Sequence, residues 1–416
     1  MLSLLVNAYA CSPDIGSEPG MGWNWCINLA KHCQLHIITE GIHKEKIEKA
    51  MQNLPQGKNM HFYYNSVSEK VRRICHNQGD WRFYWYYEKW QRKTLKIAKN
   101  IIYQYPIDII HQLNMVGFRE PGYLWKIADI PFVWGPIGGM DNIPPNYFNH
   151  LGIKKRAFII LKRILNNWQI RHYRRVKKVI KRSNILIAAT KGCVENIEKY
   201  HKRHAYLINE TSCLYDQHQE AKTFPEKKQF DIVWVGRFFF TKKLDIALKT
   251  IAKVHNLPDI KFHIVGEGFE QENMYYRNLA RTLGIDDICV WHGVVPNTQV
   301  YQLMYSSDLF LFTSVMETTS TVILEAISNQ LPTLCFNICG FGPIVNRNVG
   351  KTIELSTPNQ SVNDFANLIT YLYHHRGELE EMSRNCIVLR KELSWDNKTI
   401  QMLNLYRQAK DNFHSL

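Results

Sequence analysis

Two glutamates, Glu317 and Glu325, bracket seven residues, three Thr and one Ser among them, in the stretch SVMETTSTVILEAISNQ at 314–330. Neither acid has a Lys or Arg three or four residues away, so neither reads as half of an ion pair along a helix. The run DLFLFTS at 308–314 has the length of a buried strand. TVILEAISNQ at 321–330 has helical spacing, with Val322, Ile323, Ala326 and Ile327 on one face, and Ser320 occupies the N-cap position. Glu317 is thus expected in a strand-to-helix turn and Glu325 early in the helix. Free N–H groups at such a helix end favour a phosphate, while carboxylates beside them accept hydrogen bonds from hydroxyls. A sugar nucleotide offers both. A capped surface helix with two solvated acids is the other reading of these residues alone.

The elements that would position them alternate along the whole chain. In the first half the strand-like runs are LSLLVNA, LHIIT, MHFYY, DIIHQL, PFVWG and ILIAAT. In the second they are FDIVWVG, KFHIVG, ICVWHG, DLFLFT, PTLCF and KTIEL. Helical patterns separate them, which predicts parallel sheets flanked by helices. Two similar sets predict an α/β chain of two Rossmann-like, doubly wound domains. The expected boundaries are 1–208 for the first, 209–229 for a polar linker and 230–390 for the second. A helix at 391–416 is expected to pack back on the first domain. Ligands of such sheets bind outside the carboxyl ends of the strands, so the site is expected in a central cleft that the two domains face.

Composition narrows the class. The chain has 416 residues, 45% of them hydrophobic and 21% charged, which is globular and long enough for two domains. It has no run of about 18 apolar residues, the length that spans a bilayer. MLSLLVNAYAC lacks a basic start and reads as a first buried strand rather than a signal peptide. The ten cysteines are scattered without a Cys-x-x-Cys pair, so no zinc site is expected and the thiols read as reduced core residues of a cytoplasmic protein.

The second half resembles the nucleotide-binding domain of family 4 retaining glycosyltransferases, also called group 1 glycosyltransferases. The matching residues, in order, are VWVGRFFFTKKLDIAL (233–248), HIVGEGFE (263–270), WHGVVPNTQVYQLMYSSDLFLFTSVMETTSTVILEA (291–326) and GFGPIV (340–345). NAYACSPDIGSEPGMGWNW and VWGPIGG in the first half fit the same family more loosely. The resemblance implies the two-domain GT-B fold. It implies that Arg237 and Lys242 bind the donor diphosphate, that Gly266 lets the backbone approach the base, that Glu325 holds the ribose hydroxyls and that Glu317 orients the transferred sugar. It further implies that amides around Thr319, Ser320 and Thr321 close on phosphate or sugar, and that Gly16, Gly20 and Gly22 form the loop after the first strand. The chain departs from the family where a second His often follows HQ: that position is Leu113. His111, Asn114 or Arg119 is then expected to serve from the first domain. No metal and no cofactor are expected, since no Asp-x-Asp motif occurs.

Charge is unevenly spread. Residues 1–208 carry 32 Lys and Arg against 14 Asp and Glu, and residues 142–194 carry no acid at all. The stretch 154–183 reads as one basic amphipathic helix, with Phe158, Leu161, Leu165, Trp168, Val176 and Val179 at three- or four-residue spacing. Residues 81–99 interleave aromatics with cations. Such helices lie on anionic membrane surfaces. No nucleic-acid-binding module is recognisable, so nucleic acid is not an expected partner.

The combined expectation is a retaining glycosyltransferase with a nucleotide-diphosphate sugar as donor and a glycan, lipid-linked, as acceptor. It would serve surface polysaccharide assembly from the cytoplasm, peripheral on the inner face of the plasma membrane. The alternatives are a non-catalytic sugar-nucleotide-binding protein of the same fold and a polyanion-binding protein.

Overall fold

The computed structural model describes residues 1–76, 81–148, 151–214, 222, 229–317 and 321–414. Packing divides the chain into two units. One comprises residues 1–140, 165–210 and 395–416, the other 141–164 and 211–394. Residues 141–164 precede the expected boundary at 208 yet group with the second unit. Tyr147 is the reason: its hydroxyl lies 2.7 Å from Ser361 Oγ and accepts from the Ser356 amide at 3.2 Å, and its ring meets the Phe336 ring edge-on. The expected linker at 209–229 falls largely outside the described residues.

In the first unit seven strands form one parallel sheet. They are β1 (Leu2–Ala8), β2 (Cys33–Thr39), β3 (Met60–Tyr64), β4 (Ile109–Asn114), β5 (Phe132–Ile137), β6 (Ile185–Ala188) and β7 (Tyr206–Leu207), in the order β3-β2-β1-β4-β5-β6-β7. Both faces are covered, so the strands are apolar almost throughout. Leu4, Val6 and Ala8 face one core, and Leu5 faces the other. The first core is closed by α1 (Ser17–Leu29) and by the final helix α15 (Trp395–His414), whose Met402, Tyr406 and Ala409 recur at helical spacing and are fully buried. The second is closed by α4 (Arg82–Gln104), α6 (Arg174–Arg182) and α7 (Lys191–His201).

The single basic helix expected over 154–183 is two helices. α5 (Ile153–His172) ends before Tyr173, whose ψ of 108° breaks it, and α6 follows. Val176 and Val179 of α6 are buried, whereas Phe158, Leu161, Leu165 and Trp168 of α5 are exposed. The apolar positions therefore belong to two surfaces with different fates.

In the second unit six strands form a parallel sheet in the order β10-β9-β8-β11-β12-β13. They are β8 (Phe230–Val235), β9 (Ile260–Val265), β10 (Cys289–Gly293), β11 (Leu309–Phe312), β12 (Thr333–Phe336) and β13 (Gly350–Ile353). Chain order reverses between β8 and β11, which marks the switch point where ligands bind in such sheets. Ile232 and Trp234 point to a core under α8 (Leu244–Val254), and Val233 points to the opposite one under α11 (Thr321–Ser328). Among the described residues no helix is long and apolar enough to cross a membrane. The nine described cysteines are free thiols, all buried except half-buried Cys289.

Candidate active site

At the carboxyl ends of β8, β9 and β10 the backbone is laced together. The Gly236 amide donates to Val265 O at 3.0 Å, and the Gly266 amide donates to Gly293 O at 2.8 Å. Gly266 has φ +118°, and a Cβ there would sit 2.0 Å from Gly236 O. Only glycine meets both conditions.

The loop from Gly236 to Lys243 carries the expected cations. Arg237 is exposed, and Phe238 anchors the loop in the core. Thr313, just after β11, accepts from Trp234 Nε1 at 3.1 Å and offers its hydroxyl to Lys242 O at 2.8 Å and Lys243 O at 3.0 Å. The Val315 amide donates to Thr241 O at 2.9 Å. These bonds bind the β8 loop to the β11 loop, and they bring Lys242 Nζ to 2.5 Å from Glu317 Oε1. Glu317 therefore has a basic partner, contrary to the local spacing, and the partner lies in a different loop.

Glu325 stands one turn into α11, partly buried, and shares a hydrogen bond with Tyr301 of α10 (Asn297–Ser306). Burial raises the carboxyl above its ordinary range, and the Tyr301 bond pulls it back down. Thr321 opens α11 and is exposed. Thr319 and Ser320 lie outside the described residues.

Lys243, the other half of the Lys doublet, has a separate role. It is 1% exposed, in the left-handed region at φ 54°, with its amine 3.2 Å from Asp245 Oδ1 and 3.3 Å from Tyr147 O. Burial lowers its amine below the ordinary lysine range. It pins the 141–147 segment to α8.

The first-unit candidates fall in three places. Gly16 is the N-cap of α1, but Gly20 and Gly22 lie inside that helix, not in the loop. A Cβ at Gly20 would be 2.3 Å from Ile15 O and one at Gly22 2.3 Å from Ala10 O. Their smallness lets the helix lie against the loop after β1. Asn114 clamps the same loop, donating to Ala10 O at 2.7 Å and accepting from the Ala10 amide at 3.3 Å. Its polar atoms serve the loop's shape. Arg119 stacks over Phe118, donates to Gln169 Oε1 at 2.6 Å and bonds Asn166 of α5. Burial lowers its guanidinium below the usual arginine range.

His111, a candidate from the first domain that could equally be a satisfied structural residue, is fully buried in β4, with Nε2 2.7 Å from Gly135 O and Nδ1 2.7 Å from the Tyr406 hydroxyl. A carbonyl only accepts, so Nε2 carries the proton and Nδ1 accepts from Tyr406. Burial lowers the ring to about 4. Both nitrogens are engaged and the ring is neutral at pH 7, so it clamps β4 to β5 and α15. Leu113 is likewise fully buried. Between pH 6.5 and 4 the unfolded chain binds a proton at this ring that the folded chain refuses. Stability is lost as pH falls through that window, by about 3 kcal/mol for a shift of this size. Melting curves from pH 7 to 4.5 check this, with His111→Gln expected to flatten the slope. An unchanged slope would remove the assignment.

Glu18 was missed, because an acid in the first turn of α1 reads as ordinary helix-end stabilisation. Its Oε1 accepts from the Val116 amide at 2.5 Å, and burial raises its carboxyl above the usual range.

Two doubly wound parallel-sheet units joined in one chain are the GT-B architecture of glycosyltransferases. Residues 216–387 match the family described as Glycosyl transferases group 1. A relative of Haemophilus influenzae, named an uncharacterized glycosyltransferase, is 33% identical over 144 residues, 34% of this chain and 38% of that protein. The chain thus matches less than half the length of that relative. Among solved structures, the lipopolysaccharide outer core galactosyltransferase WaaB in its apo form has the same fold, with a TM-score of 0.64 at 15% identity over 97% of this chain and 99% of that one. Anabaena Alr3699/HepE in complex with UDP and glucose gives a TM-score of 0.59 at 15% identity over 100% of both chains.

Proposed function

We propose that this chain is a retaining glycosyltransferase that moves a sugar from a nucleotide-diphosphate donor to a glycan. The observation that carries the reading is the Lys242–Glu317 pair at the carboxyl end of the second sheet, in the segment that matches group 1 glycosyltransferases. A diphosphate entering there would draw Lys242 away from Glu317 and free the carboxylate for a sugar hydroxyl. Arg237, Lys242 and the amino end of α11 would spread the charge of the departing diphosphate, with no metal in this reading. The acceptor hydroxyl would attack from the face the diphosphate leaves, its proton passing to the leaving phosphate. HepE, of the same fold, binds UDP and glucose in its crystal structure, which supports a nucleotide sugar as donor. Gly266 would admit the base, and Glu325 would take the ribose hydroxyls. The acceptor would be lipid-linked, as in capsule or O-antigen assembly, with the protein cytoplasmic and peripheral at the membrane's inner face.

A screen of nucleotide sugars for slow donor hydrolysis tests this. With the donor found, Glu325→Gln is expected to weaken nucleoside diphosphate binding about tenfold, as the loss of a ground-state contact. Glu317→Gln is expected to lower kcat more than it raises KM. Equal nucleotide affinity in wild type and Glu325→Gln would overturn the ribose role. The enclosed His111 and the apolar Leu113 favour a second reading, a chain that binds the donor without turnover. Tight nucleotide-sugar binding with no hydrolysis or transfer would establish it.

A further inference from the structure

Helix α5 has 20 residues and buries two, Asn166 and Ile170. Ile153, Phe158, Leu161, Ile164, Leu165 and Trp168 are 50 to 84% exposed. At 3.6 residues per turn these six fall within about 140° of one face. Lys155 and Lys162 border that face, Lys154 rises from its first turn, and Arg156 and Arg163 are half-buried on the side that meets the protein. Asn166 and Ile170 lie on the opposite side, where the helix meets the protein. Soluble chains rarely leave so continuous an apolar face in water.

We infer that α5 lies in an anionic lipid surface, its apolar face sunk among the acyl chains and its bordering cations at the phosphates. This deepens the proposed function by naming how the chain meets a lipid-linked acceptor, but its evidence does not depend on turnover. The pattern selects the occupant. Lysines along the border of an apolar stripe match a lipid leaflet, which is apolar inside and anionic at its rim. A second copy in a two-fold contact would set these cations against their like. A nucleic acid would engage the cations and leave the stripe in water. The residues 142–194 contain no acid to oppose the attraction.

A second feature lies in the same unit as the last turns of α5. Trp81, Tyr84 and Trp85 at the start of α4 are also exposed. Arg119 of the same unit grips Asn166 and Gln169 of α5. Helix α6 takes no part in this surface. Its Val176 and Val179 are core, and Arg175 is spent on Glu120 at 2.6 Å with both side chains 13% exposed.

The experiment is co-sedimentation of the full chain with phosphatidylcholine vesicles, with and without about 30% phosphatidylglycerol. The triple variant Phe158→Ser, Leu161→Ser, Leu165→Ser is expected to bind anionic vesicles at least tenfold more weakly, with unchanged melting temperature. Lys155→Glu with Lys162→Glu is expected to erase the preference for anionic over neutral vesicles. In about 0.5 M salt, wild type is expected to keep part of its binding, because screening removes only the charge term. Trp168 emission should be quenched by brominated acyl chains, read as the difference from Trp168→Phe. Nucleoside diphosphate affinity is measured on every variant, and its absence in wild type would count against the catalytic reading alone. Undiminished vesicle binding by the serine variant overturns the inference. So does a wild-type dimer in solution that the serine variant dissolves, with no vesicle binding in either.

Discussion

Lys242→Ala is expected to lower sugar transfer by about 10²–10³-fold, the effect of removing a charge that acts on a leaving group in a closed site. Its melting temperature is expected to change little. Lys242 and Glu317 are 17% and 15% exposed, and the pair sits at the rim of the sheet, where the Lys242 amine meets the core at the Phe312 ring face, 5.5 Å away. The neighbouring Lys243→Ala is expected to do the reverse. Lys243 is 1% exposed against 17% for Lys242, and its amine holds both Asp245 and the Tyr147 carbonyl, so its removal opens a buried void between two acceptors. Breaking a buried pair in this way costs about 3–5 kcal/mol. The two substitutions, one residue apart, therefore separate catalysis from folding. Turnover assays and thermal melts on both variants check it. If Lys242→Ala transfers sugar normally, or melts as early as Lys243→Ala, the diphosphate site has been misplaced.

Gly266→Ala is expected to be the most damaging single-methyl change in the second unit. At φ +118° an L side chain is strained by about 1–3 kcal/mol. Its Cβ would also stand 2.0 Å from Gly236 O, a backbone atom that cannot swing aside. The β8 loop must then move, and Lys242 moves with it. Nucleoside diphosphate binding should fall even at temperatures where the variant is folded. Gly284→Ala is the control: its φ of +69° carries strain, but nothing lies within 4 Å of the new methyl. Urea unfolding should rank Gly266→Ala well below Gly284→Ala, and equal midpoints would show that the close approach to Gly236 does not matter.

Much of this was legible along the chain. Apolar runs such as LSLLVNA and FDIVWV become β1 and β8 because a parallel sheet covered on both faces accepts no polar alternation. The two-residue β7 was not legible, since a pair of residues has no periodicity. The motif spacing of Arg237, Lys242, Glu317 and Glu325 that carries the family resemblance is also a property of the sequence. What each side chain meets is not. Glu317 looked unpaired because helix spacing rules see only neighbours, and its lysine comes from another loop through Thr313. His111 looked like a residue at a strand end until the last helix covered it with Tyr406, a partner on the far side of the chain. Gly20 and Gly22 looked like loop glycines, and their need for small size comes from loop carbonyls that only the folded chain brings within 2.3 Å. On α5 and α6 the same apolar spacing occurs in tandem. Sequence determines that both helices have an apolar face, because period and composition are local. The tertiary structure decides that α6 spends its face on the core and α5 keeps its own in the open, because burial depends on what the rest of the chain places opposite.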